Sequence, residues 1–185
     1  MTLILTRLSI ANLLLLLVTC GTGLLPATRQ SAPGPDASPY DWHAYLGVLS
    51  ALSTLALHCL VFIYLLGTGR LIKEVAIAYR IPDAPLPRLT RDLKRRTFPV
   101  ALLAMLVPIA TAAAGAGARF REWPWQVHLA LALATLLVNA WALVVERRNV
   151  GINVGVLDEV FREIDRIRAE HGLPSNAEAL RQEGQ

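Results

Sequence analysis

The sequence predicts an all-α integral membrane protein: a four-helix transmembrane bundle with both termini in the cytoplasm and a short cytoplasmic amphipathic helix appended. Composition is the first ground. Hydrophobic residues make up 54% of the 185 residues and charged residues only 17%, where a soluble domain carries about 25% charged. The second ground is that four stretches free of Asp, Glu, Lys and Arg each reach bilayer length, ~20 residues. The third is a lopsided loop charge, which sets the orientation.

The first apolar run, 8–28, contains the leucine series Leu13 to Leu17 and closes at Gly21, Gly23 and Pro26. Its length favours a retained span over a cleaved signal peptide, although Arg7 and the Leu17-Val18-Thr19-Cys20 stretch loosely resemble one. The other spans are 44–69, 97–118 and 123–145. Each crosses ~30 Å of hydrocarbon as a helix at ~1.5 Å per residue. Strands are excluded because apolar and polar residues do not alternate, and backbone groups in lipid must pair internally.

The cytoplasmic loop 70–96 carries Arg70, Lys73, Arg80, Arg88, Arg91, Lys94, Arg95 and Arg96, and the tail opens with Arg147 and Arg148. Only Arg29, Arg119 and Arg121 lie on the other side, so the basic side is the cytoplasm. Tyr40, Trp42, Tyr45, Trp123 and Trp125 mark the outer interface. The net charge of +4 follows from these loops and does not point to nucleic acid. The arginine-rich composition suggests a bacterial inner (cytoplasmic) membrane. Cys20 and Cys59 sit inside apolar runs, which excludes a disulfide framework or zinc spacing.

Two units follow: residues 1–146 as the membrane domain and 147–185 as a helical tail. The outer link 30–39 is irregular, rich in proline and serine. Gly67 and Gly69 loosen the end of the second span, residues 71–76 continue it at the headgroups, and the prolines of 81–87 break it. Pro108 is expected to kink the third span, whose alanine- and glycine-rich end suits close helix contact. In the tail, Leu157, Val160, Phe161, Ile164 and Ile167 share one helical face, with Gly172 and Pro174 as the stop. That stripe docks on the cytoplasmic loop or on a protein partner reached through 157–171. Arg91, Lys94, Arg95 and Arg96 form a basic cluster suited to anionic headgroups, though setting topology is its commoner use.

No charged residue falls within the four spans, which weighs against ion-coupled transport. No arrangement for hydrolysis is visible, so an enzyme is disfavoured. The chemistry-bearing residues are histidines. His43 and His128 stand at similar depth near the outer ends of the second and fourth spans, placed to ligate a b-type haem from neighbouring helices. His58 lies ~22 Å deeper, on nearly the same face as His43. Met105 offers it a thioether and Asn139 a hydrogen bond, the latter being the commoner arrangement. Two roles remain: an accessory or scaffolding membrane subunit docking partners through its loop and tail, and a haem b electron-transfer subunit. The first ranks higher because no feature requires a cofactor.

Overall fold

The computed structural model describes residues 2–25, 39–83 and 85–183. The predicted end of the first span at Thr28, Arg29, the link up to residue 38 and the Tyr40 side chain lie outside the described residues. The chain forms α1 (Thr2–Gly23), α2 (Pro39–Ala78), α3 (Leu86–Phe120), α4 (Trp125–Glu170) and α5 (Asn176–Glu183), with no strand among the described residues. The helices α1 to α4 are long and apolar enough to cross a membrane. Each packs on its neighbour in chain order, and α1 also meets α4. Across the centre α2 touches α4, whereas α1 and α3 do not meet.

Polarity is inverted relative to a soluble bundle. Leu17, Leu52, Ile63, Leu102, Leu106, Leu137 and Val144 face outward, while Asn12, Thr54, His58, Thr97, Asn139, Glu146, Asn149 and Asn153 are buried. Such an arrangement is favourable in hydrocarbon, where polar groups find partners only inside the bundle.

The helices outrun the predicted spans. Gly67 and Gly69 do not end the second span: α2 runs on to Ala78, with Ile72 and Ala76 buried. The break is confined to 79–85, where Arg80 adopts a positive φ of 54° and the paired nitrogens of Arg91 grip both oxygens of Asp83 at 2.7 Å. The Arg91 hydrogen bonds hold the Asp83 carboxyl below its ordinary value. A lowered carboxylate favours the closed turn at neutral pH and stops doing so as pH falls through its folded value. Arg91→Gln should therefore return the Asp83 titration toward the ordinary carboxylate range, read by carboxyl NMR.

The tail is not a separate helix. It is the continuation of α4, which runs unbroken from Trp125 to Glu170. Its predicted stripe is covered in part within the chain: Val160 and Ile164, with Val156, pack on Ile72, and Val75, Tyr79, Ile81, Leu86 and Leu157 lie around them. Phe161 stays exposed. Gly172, at φ 67°, turns the chain after α4 as expected. The helix α5 goes beyond the sequence expectation, although its start is a capping box. Ser175 Oγ accepts from the Glu178 N–H, and Glu178 Oε2 accepts from the Ser175 N–H at 2.9 Å.

The bundle is internally repeated. The buried residues of α1 are Leu5, Ser9, Asn12 and Leu16, and those of α3 include Thr97, Ala101, Ala104 and Pro108, at the same intervals. On α2 the buried Ser50, Thr54, Leu57, His58, Val61 and Leu65 match Thr135, Asn139, Ala142, Leu143, Glu146 and Val150 on α4. The hairpins α1–α2 and α3–α4 are thus parallel repeats about a pseudo-two-fold axis running along the bundle.

Candidate functional site

His43 and His128 occupy equivalent places in the two repeats and meet at the centre, with ring centroids 6.0 Å apart and ring planes at 81°. The same device holds each ring. His43 Nδ1 lies 3.1 Å from the Thr19 carbonyl, and His128 Nδ1 lies 2.9 Å from the Thr111 carbonyl. A carbonyl only accepts, so each Nδ1 carries a hydrogen, and in the neutral ring the lone pair lies on Nε2.

The supports repeat as well. Thr19 Oγ1 donates back to Leu15 O, approaches Leu46 O and lies 2.7 Å from Ser50 Oγ. Thr111 Oγ1 donates back to Val107 O, approaches Leu131 O and lies 2.7 Å from Thr135 Oγ1. Glycine makes the close approach in each half. A Cβ on Gly23 would fall 2.7 Å from His43 Cε1, and one on Gly115 would fall 2.9 Å from His128 Cε1.

Beside the rings lies a cavity of about 80 Å³, lined from both halves by equivalent residues, the two histidines among them. Leu16, Thr19 and Cys20 answer to Pro108, Thr111 and Ala112, while His43, Gly47, Ser50 and Ala51 answer to His128, Ala132, Thr135 and Leu136. A volume of this size takes a metal ion with a small ligand, given ~30 Å³ per water in the liquid. A haem macrocycle enters only if the two hairpins part. No group of three or more His, Cys, Asp or Glu residues able to hold a metal occurs among the described residues; the imidazoles lining this pocket are His43 and His128, and Cys20 lines it too.

The structure does not bring His58 to this pocket. His58 is fully buried, its Nδ1 2.6 Å from Glu146 Oε1 and its Nε2 2.9 Å from Asn139 Oδ1. Both ring nitrogens are taken, and the Met105 sulfur sits instead 4.0 Å from Cys59 Sγ. Glu146 lies one residue past the predicted end of the fourth span and is also fully buried. No charged residue falls within 123–145, yet helical phase turns the next residue inward, so a carboxylate reaches the bundle core.

At the opposite, basic end, Arg91 and Lys94 border a cleft of about 390 Å³ together with Lys73 and Arg80, whereas Arg95 and Arg96 do not line it. Lys94 folds over Gly69, its Nζ 2.6 Å from where a Cβ would stand.

Sequence reasoning finds the histidines and misses what holds them. The missed signal is the repetition of Thr-x-x-x-Gly followed by His-x-x-Leu, at Thr19, Gly23, His43 and Leu46 and again at Thr111, Gly115, His128 and Leu131. Compared with protein families, curated proteins and solved structures, the chain matches none.

Proposed function

We propose that this protein is a membrane-embedded carrier of one transition-metal centre, ligated by His43 and His128 near the outer face of a bacterial inner membrane. One observation carries the reading: two imidazoles meet edge-on at the pseudo-two-fold axis, each with Nδ1 engaged by a backbone carbonyl, which leaves Nε2 as the candidate donor. Metal-ligating histidines characteristically donate their other nitrogen to such a carbonyl. Imidazole suits iron and copper. Two imidazole donors suit a bare copper ion, which the cavity would take as it stands, whereas haem iron would need the two hairpins to part. Either metal, if bound, would supply one-electron chemistry at His43 and His128. The accessory-subunit reading has less to stand on, because its docking stripe is covered in part by Ile72, Val75 and Tyr79 of the same chain.

The test is purification in detergent after expression with haem precursor or with copper. A Soret band and a reduced α band lost in His43→Ala and His128→Ala identify haem. Stoichiometric copper without a Soret band, lost in the same variants, identifies the bare ion. A colourless, metal-free protein from both cultures would sink the proposal.

A further inference from the structure

At one level the two halves of the repeat differ by ionisable groups. His58 on α2 is matched by Leu143 on α4, and Glu146 on α4 is matched by Val61 on α2. Across the axis from the pair, the equivalent positions Leu143 and Val61 are therefore filled with hydrocarbon, and both belong to the apolar core. The fold has an apolar solution at hand, and buried ion pairs are seldom more stabilising than such a replacement. Ionisable groups kept at membrane depth against that alternative are functional by default.

Hydrogen-bond chemistry then counts the protons. The Asn139 amide donates to Thr135 O at 2.9 Å and Ala104 O at 3.3 Å, which turns Oδ1 toward His58. Since Oδ1 only accepts, His58 Nε2 carries a hydrogen. One further proton lies between His58 Nδ1 and Glu146 Oε1, and with it the pair is neutral overall. Glu146 Oε2 is buried with no hydrogen-bond partner, an acceptor left open. A proton added there makes the pair imidazolium and carboxylic acid, with a net charge of +1.

The approaches to this site differ. Toward the basic end follow the buried Asn149 and Asn153, bonded to Thr97 and Thr68, and Asn153 Oδ1 is a second buried acceptor with no partner. Such groups suit ordered water. Toward the histidine end stands Asn139, whose amide hydrogens are both committed and which neither takes nor releases a proton. We propose that His58 and Glu146 form an intramembrane proton-binding site, loaded on Glu146 Oε2 from the basic end. Other ionisable groups do not compete. The neighbouring Cys59 faces Met105, Tyr64 packs against the apolar cluster, and Arg7, Arg147 and Arg148 are exposed. Between residues 8 and 25 α1 carries only Cys20, and α3 has none from Thr97 to Ala118.

Infrared difference spectroscopy on the full-length protein in lipid vesicles tests this without reference to any metal. Acidification should raise a carbonyl band of a protonated carboxyl group that shifts in D2O and is lost in Glu146→Gln, while Glu159→Gln, an exposed control, retains it. No band, or a band surviving Glu146→Gln, overturns the proposal. Should Glu146→Gln misfold, the paired change His58→Leu with Glu146→Val supplies the reference without the carboxyl. Asn153→Leu should slow deuteration of the band about tenfold, as expected for removal of one hydrogen-bonding relay position, and Asn12→Leu should not. The reverse pattern overturns loading from the basic end. Loss of metal binding in His43→Ala leaves the band in place, so the two readings fail separately.

Discussion

His58→Leu alone should destabilise the bundle by about 3–5 kcal/mol, the usual consequence of leaving a buried charge without its partner. Adding Glu146→Val should recover most of that loss. The double variant installs on one side the Leu and Val that already pack on the other, where Leu143 and Val61 share a cluster with Leu5, Leu57, Leu65 and Val150. Glu146→Val alone strands only a neutral imidazole nitrogen, so its cost should be smaller, about 1–3 kcal/mol. Unfolding by denaturing detergent titrated against the native one, with helical circular dichroism as the signal, reads all four corners of the cycle. A double variant as unstable as the sum of the singles would show that the two halves do not tolerate the same packing.

The second large effect is expected at the glycines beneath the histidines. Gly23→Ala and Gly115→Ala each place a methyl group within 2.9 Å of an imidazole carbon. The ring must shift, and its Nδ1 bond to the threonine carbonyl one turn back is then lost. Metal affinity should fall about 10–100-fold, as for other changes to a ligand's support, while overpacking costs about 1–3 kcal/mol. Gly21→Ala is the internal control: it has open space around it, does not line the cavity, and Ala113 holds the equivalent place. Metal titration of the three variants decides. Equal weakening in all of them would mean that small residues matter here only for helix contact.

The long uncharged runs made the helices and their number legible, because lipid length is a one-dimensional property. Depth counting likewise placed His43 beside His128, and one-turn reasoning gave His58 its Asn139 partner. Helix ends were not legible at Gly69 or Glu146. At both, contacts on another helix outweigh local signals: Ile72 and Ala76 are buried beyond the glycines, and His58 receives the carboxylate. Counting charges by span also treated Glu146 as a border residue, although helical phase turns it inward. The repeat stayed hidden because most of its matched positions are unlike in type. Asn12 answers to Ala104 and Thr54 to Asn139, yet each pair forms the same interhelical contact, by side chain in one half and by backbone carbonyl in the other.

The unbroken course of α4 has a mechanical consequence. Its 46 residues amount to about 70 Å of rod at ~1.5 Å per residue, roughly twice what a bilayer needs. His128, Asn139, Glu146 and the segment around Ile164 are mounted on that single shaft with no joint between them. A grip that tilts or turns its far end moves the paired histidines and the buried carboxylate together, so the helix works as a lever whose handle is held by the extension of α2 around Ile72.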